Sequence, residues 1–211
     1  MWHKRVAALL LALLIPVTVY TANDDLVDAA KRGDSDKVKS LLDGGTDINA
    51  KSNNGRTALI EASYWGQAEV VNLLLERNAG IDAKDNDERT ALMCAAQNNH
   101  TDIVKALLDK GADLKARDKE GRTALMDAAS NGRLESMQLL LDKGADINAK
   151  NAEGRTALML ASYWGHPKIV RALLDKGARA GEKDKAGYVA VDFADSQGHK
   201  EIVEMLKKAG N

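Results

Sequence analysis

Beyond its first two dozen residues, the chain repeats its apolar and polar positions with a period of 33 residues. Thr57, Thr90, Thr123 and Thr156 each stand in an R-T-A-L string, and Val189 continues the series in weakened form. Alanine recurs at Ala29, Ala62, Ala95, Ala128, Ala161 and Ala194, and leucine at Leu41, Leu74, Leu107, Leu140, Leu173 and Leu206. Self-similarity of this kind is the signature of a solenoid. Six units fit, at about 24–53, 54–86, 87–119, 120–152, 153–185 and 186–211.

Each unit predicts two short helices. Thr57 is placed to cap the first helix, because its hydroxyl can accept a hydrogen bond from a free amide of the first turn. Gly66 supplies the bend, and the second helix, over about 69–77, is so apolar that neighbouring units must cover it. A left-handed residue is expected after each second helix, at Gly45, Asn78, Gly111, Gly144 and Gly177.

The terminal units carry polar residues where the inner units are apolar. Lys37 and Ser40 do so in the first unit, and Asp192, Asp195 and Lys207 in the last. Because a solenoid needs capping units with polar outer faces, we predict one domain over residues 23–211.

These strings resemble the ankyrin repeat family, whose pattern is a turn and two helices with a T-P-L-H motif. The chain has TALI at 57–60, TALM at 90, 123 and 156, and VAVD at 189. Alanine replaces the motif's proline, and Ile or Met its histidine, so we expect Met93, Met126 and Met159 to pack where the histidine would bond. The resemblance implies an all-α solenoid with short β-hairpin or turn connections and a concave face that binds proteins.

The first residues have the layout of a secretory signal peptide. Lys4 and Arg5 precede an apolar run that ends at Pro16 and is shorter than a bilayer-spanning helix. We expect residues 1–22 to be a signal peptide, the protein to be periplasmic or secreted, and no stable membrane span to remain after cleavage.

Composition argues against several classes of function and of site. Among 211 residues, 30 Lys and Arg stand against 31 Asp and Glu, a balance that argues against nucleic acid as a partner. Cys94 is the only cysteine, which excludes an intramolecular disulfide and a cysteine zinc cluster.

Catalytic and metal motifs are missing from the sequence. His100, His166 and His199 share one repeat position, too far apart for one ion, and are expected to be polar residues that open second helices. Cys94 lacks a second residue to form a reactive dyad, although a thiol sensor is an open alternative. We therefore predict a protein that is not an enzyme and has no cofactor and no metal.

Two copies of A-S-Y-W-G carry most of the aromatic residues of the repeats, as Tyr64, Trp65, Tyr163 and Trp164. Other units have polar residues there, such as Gln97 and Ser130, which marks the position as facing solvent. Because Trp and Tyr dominate interface energies, we predict that the two pairs bind a partner.

A second candidate row lies before the capping residues, at Arg56, Arg89, Arg122, Arg155 and Tyr188. The arginines could clamp carboxylates of a partner. The structural account is the stronger one, because Glu88, Glu120 and Glu153 lie close enough in sequence to neutralise the arginines. Acidic residues such as Asp85, Asp87 and Asp118 make the tips mixed in charge.

These residues favour a monomeric module that binds one protein and inhibits, protects or stabilises an envelope enzyme. Two alternatives stay open: a glycan- or peptidoglycan-binding module that uses the tryptophans as stacking platforms, and a secreted effector that binds a host protein.

Overall fold

The computed structural model describes residues 22–209, and the expected signal peptide therefore lies outside the described residues except for Ala22. Residues 22–209 form six helix pairs. Their bounds are α1 Ala22–Arg32, α2 Ser35–Asp43, α3 Ala58–Trp65, α4 Ala68–Glu76, α5 Ala91–Gln97, α6 Thr101–Asp109, α7 Ala124–Ser130, α8 Leu134–Asp142, α9 Ala157–Tyr163, α10 Pro167–Asp175, α11 Ala190–Ser196 and α12 Lys200–Ala209. Between residues 22 and 209, no helix is both long and apolar enough to cross a bilayer.

The first helix of each inner pair begins at its repeating threonine. The hydroxyls of Thr57, Thr90, Thr123 and Thr156 accept the amide of the third helical residue at 3.3 to 3.5 Å. Val189 has no hydroxyl, and there the Asp192 carboxylate instead accepts the Val189 amide at 2.8 Å. The predicted caps are confirmed, and the last pair uses a substitute.

The second helices end in the left-handed residues that the sequence predicts. Gly45, Gly111, Gly144 and Gly177 have φ between 88° and 93°, and Asn78, the one exception in residue type, has φ 60°. The four glycines let the chain turn toward the next unit without β-carbon strain, and asparagine is the residue type that tolerates this conformation next best.

The connections are turns rather than β-hairpins with regular strands, since no strand is found in residues 22–209. Each inner tip closes with a backbone hydrogen bond, for example from the Asp118 amide to the Arg122 carbonyl at 3.1 Å. Successive tips are joined by a further bond, such as that from the Ala152 amide to the Glu120 carbonyl at 2.9 Å. The predicted all-α solenoid with short connections is therefore confirmed, and within residues 22–209 those connections are turns.

The helices stack in two rows, with first helices against first helices and second against second. One apolar core runs without a break from Leu26 to Leu206 and includes Met93, Met126 and Met159. The predicted capping residues Lys37, Ser40, Asp192, Asp195 and Lys207 are all exposed.

The three histidines do more than open the second helices. Each ring places Nε2 against a carbonyl oxygen of the preceding unit: His100 to Tyr64 at 3.1 Å, His166 to Ser130 at 3.0 Å and His199 to Tyr163 at 3.1 Å. Gln67 and Arg133 make the equivalent bonds to the carbonyls of Lys31 and Gln97. This row therefore ties each first helix to the next unit.

Candidate functional site

The turn tips and first helices form one continuous face, here called the tip–helix face, and the arginine row lies along it. All four arginines are half-buried and bind carboxylates of the same chain. Arg56 contacts Glu61 and Asp85 at 3.3 and 3.4 Å, Arg89 and Arg122 contact Asp127, and Arg155 contacts Glu153 at 2.8 Å. The structural interpretation of the row therefore has direct support.

Asp127 is the most heavily bonded of these carboxylates. One oxygen accepts from Arg89 Nη2 at 3.0 Å, and the other accepts from Arg122 Nε at 3.0 Å. Gln97 and Ser130 complete the cluster by accepting from the same two guanidiniums, each at 2.6 Å. Burial raises the pKa of Asp127, and the two positive charges oppose that shift.

The expected neutralisation by Glu88, Glu120 and Glu153 is right only for Glu153. Glu88 pairs with Lys84 at 3.1 Å, and Arg122 pairs with Asp127 rather than with Glu120. The reason is that the buried carboxylates lie under the arginines, whereas Glu88 and Glu120 lie on the exposed tips.

The first aromatic pair is held by charged neighbours. Tyr64 and Trp65 meet edge to face with ring centroids 5.4 Å apart. The Trp65 indole N–H donates to Glu61 Oε2 at 3.0 Å, and Lys31 Nζ lies 5.1 Å from the Trp65 ring centre. Arg56 covers Tyr64 at 5.0 Å. Trp65 is nonetheless 49% exposed.

The second aromatic pair belongs to a larger cluster. Tyr163 and Trp164 meet edge to face at 5.2 Å, and Phe193 lies within 6.4 Å of both Tyr163 and Tyr188. Trp164 and Tyr188 are 57% and 56% exposed. Arg155 also lies over the Phe193 ring, 5.1 Å from its centre. The structure thus brings four of the predicted binding residues together around Phe193, namely Arg155, Tyr163, Trp164 and Tyr188, and places Tyr64 and Trp65 in a separate group three units away.

Trp164 stands between two open pockets of the tip–helix face. The first, of about 570 Å³, lies toward Arg89, Asp127 and Ser130. The second, of about 530 Å³, lies toward Arg155, Tyr163 and Phe193. Ser130 itself is buried under Arg122, so the expectation that this repeat position always faces solvent is wrong there.

Four residues of this face escape sequence reasoning, namely Glu61, Asp127, Leu160 and Phe193, which share their repeat position with Cys94. They occupy one repeat position, where the residue type changes from unit to unit while its neighbours repeat. That variation is the signal that could have singled them out. Cys94 is fully buried, and burial raises the pKa of its thiol to about 11, against the influence of Arg89 and Arg56. An activated thiolate has the opposite character.

Among residues 22–209, no group of three or more His, Cys, Asp or Glu side chains could hold a metal ion. The tip–helix face offers exposed aromatic rings, paired charges and open pockets. These are the features of a surface that recognises another molecule.

Comparison with known proteins agrees with this architecture. A family model for ankyrin repeats matches three times, over residues 26–118, 79–151 and 148–211. Among solved structures, a chain of the complex between the Bd0816 predatory endopeptidase from Bdellovibrio bacteriovorus and immunity protein Bd3460 matches with a TM-score of 0.80 and 32% identity. The match covers 89% of this chain and 99% of that chain, which is the ankyrin-type immunity protein. No curated protein matches the sequence. The chain belongs to the ankyrin repeat family.

Proposed function

We propose that this protein is an immunity-type inhibitor that binds an exported endopeptidase through its tip–helix face. The observation that carries the proposal is the match, at 32% identity over nearly the whole partner-bound chain, to an immunity protein solved with an endopeptidase. The role is non-catalytic: the protein covers an enzyme and thereby protects the cell that makes it.

The surface supports this role. Trp65, Tyr163, Trp164 and Tyr188 are large, exposed apolar residues of one face. Exposed aromatics at the edges of pockets are the usual anchors of protein interfaces, where a few such residues supply most of the binding energy. The arginines act beneath them as supports, because their guanidiniums are already bound by carboxylates of the same chain.

The location follows from the same proposal. An endopeptidase that needs an immunity protein threatens the compartment in which both meet, which for an exported enzyme is the periplasm or the cell surface. A signal peptide in residues 1–22 would deliver the inhibitor there.

Affinity capture with an activity readout tests the proposal. The protein from Ala22 onward is immobilised and exposed to the exported fraction of the producing cells, and endopeptidase activity is measured in the unbound and eluted material. We expect the activity to be depleted, eluted with the protein, and inhibited saturably when purified protein is added back.

Two variants make the test specific to the face. Replacing Trp65 and Trp164 together with Ala should reduce capture by more than about tenfold. Lys176→Ala is the matched control, because Lys176 directly follows α10, is exposed and forms its one ion pair within residues 22–209 with Asp142. Equal capture by both variants would place the interface elsewhere, and an undepleted endopeptidase would contradict the function itself. Capture of sugar fragments instead of a protein would favour a glycan-binding module.

A further inference from the structure

The two A-S-Y-W-G copies have the same sequence but different surroundings. In the first copy, Lys31 lies over the Trp65 ring at 5.1 Å and Glu61 accepts the indole N–H at 3.0 Å. In the second copy, Ser130 stands at the repeat position of Lys31 and Leu160 at that of Glu61. Trp164 therefore has neither a cation over its ring nor a carboxylate for its N–H among the described residues.

The pocket on the Ser130 side of Trp164 is acidic where it is open. Asp127 is saturated by Arg89 and Arg122, and Asp118 accepts the amides of Glu120 and Arg122. Of the remaining charged lining residues, Asp87 and Glu120 are exposed and form no ion pair within residues 22–209, against a single uncommitted cation, Lys119. The uncommitted charges of the lining thus sum to −1.

We infer that this pocket binds a basic side chain, lysine or arginine, of the partner protein, with its cation over Trp164 in a pocket whose lining also includes the acidic Asp87 and Glu120. The inference deepens the proposed function, because it assigns the chemistry of one contact in the proposed interface. Tryptophan is the best aromatic acceptor for such a cation. Lys31 and Trp65 show the same arrangement within the chain, where the cation is internal.

Lys31 also explains why the two tryptophan rings are not equally available to a cation of the partner. Lys31 already covers Trp65, so a partner cation gains less there than at Trp164. Trp164 is accordingly the principal anchor for the basic side chain, and Trp65 a secondary contact.

A peptide titration tests the pocket without the natural partner. The protein from Ala22 onward retains two tryptophans, and their indole N–H resonances, assigned with Trp65→Phe and Trp164→Phe, are followed by NMR during addition of trilysine, with trialanine as the uncharged control. We expect trilysine to shift the Trp164 resonance saturably and the Trp65 resonance far less, and trialanine to shift neither. Equal responses of both tryptophans, or of both peptides, would overturn the inference.

Variants of the charged residues and of the Trp164 ring test the electrostatic and the aromatic parts of the inference separately. Asp87→Asn together with Glu120→Gln should weaken the trilysine response by about threefold to tenfold, and Lys31→Ser should make Trp65 responsive.

Against a captured endopeptidase, Trp164→Phe should retain binding within about threefold while Trp164→Leu loses about tenfold or more, since only Phe keeps an aromatic face. Equal losses for Phe and Leu would show an apolar contact and refute the inference while leaving the inhibitor function standing. Failure of the wild-type protein to capture an endopeptidase would refute the proposed function but not the peptide result.

Discussion

At the scale of single residues, Asp127 illustrates what holds the tip–helix face in shape. Its carboxylate neutralises two half-buried guanidiniums from successive units, Arg89 and Arg122. Without that anion, both positive charges would remain beneath the pocket with no carboxylate at the centre of the cluster. The carboxylate therefore supports the shape of the tip–helix face.

We expect Asp127→Ala to lower the free energy of unfolding by about 3 to 5 kcal/mol, because removal of one member of a buried ionic cluster leaves uncompensated charge. Urea denaturation measures the change. Asp127→Asn should cost less, since the amide oxygen can still accept a hydrogen bond from a guanidinium. Asp109→Ala is the control, because Asp109 is an exposed residue whose pairs with Lys105 and Lys143 are screened by water. A loss below about 1 kcal/mol for Asp127→Ala would mean that the cluster is not ionic in the folded protein.

Cys94 predicts a dependence of stability on alkaline pH. Burial raises the pKa of its thiol from 9.0 to about 11. Between these values the folded state holds the proton that the unfolded state has lost, so stability falls as pH rises through this window. The difference in unfolding free energy between the wild type and Cys94→Ala should therefore shrink by about 2 to 3 kcal/mol from pH 9 to pH 11. A constant difference would show that the thiol is not buried as described.

The same burial bears on the thiol-sensor alternative. We expect a thiol reagent at neutral pH to label Cys94 only after unfolding, because the native thiol is protonated and inaccessible. Rapid labelling of the native protein would revive that alternative.

The sequence predicts the positions of the arginines but not their partners. Arg89 reaches Asp127 across 38 residues, into the next unit, and Asp127 stands where the neighbouring units have Cys94 and Leu160. A periodic pattern cannot reveal a contact made by a residue that departs from the period. The exposed tryptophans, in contrast, were predictable, because a large aromatic residue replaces polar ones at an otherwise polar repeat position.

At the scale of elements, the bend after α3 combines two constraints at one residue. Gly66 has φ 77°, and a β-carbon there would lie 2.5 Å from His100 Cε1, in the ring that bonds to the Tyr64 carbonyl. The end of the helix and its contact with the next unit are thus fixed together.

Gly66→Ala should accordingly destabilise the protein more than Gly45→Ala. Both substitutions force alanine into the left-handed region, at about 1 to 2 kcal/mol, but a β-carbon at Gly45 meets nothing within 4 Å. The excess measured for Gly66→Ala by urea denaturation should disappear in a His100→Ala background, where the ring is gone. Equal effects at the two glycines would mean that the histidine contact adds nothing.

Helix type and order were predictable from the repeating threonines, glycines and leucines, and the bounds shift little: the second helix expected over 69–77 spans Ala68–Glu76. The connections between units were predictable as short turns, but the absence of regular strands from residues 22–209 was not, because it depends on each tip forming too few backbone bonds for a ladder. The histidine row was predicted only in part. Its position before the second helix is a local feature, whereas its bond to a carbonyl 36 residues earlier depends on how the units stack.

At the scale of the whole molecule, the residues that stabilise the stack of helices differ from those proposed to bind the partner. The core from Leu26 to Leu206 is continuous, and each helix contacts its neighbours in the stack. In such an array, stability is close to a sum of units and the interfaces between them. The exposed aromatics lie at the edge of this core, so their removal leaves the stacking of the helices in place.

This separation predicts opposite effects on stability and on inhibition for two substitutions by alanine. Leu107 in α6 is 0% exposed, and Leu107→Ala should lower the free energy of unfolding by about 2 to 5 kcal/mol through lost burial and a cavity. Protein that remains folded should still inhibit the endopeptidase, because the tip–helix face is intact. Trp164→Ala removes a ring that is 57% exposed, so it should change stability by less than about 1 kcal/mol while weakening inhibition about tenfold or more. Urea denaturation and inhibition titrations on the same preparations measure both quantities. If Trp164→Ala lost inhibition only in proportion to a loss of folded protein, Trp164 would be a structural residue and the partner would bind a different surface.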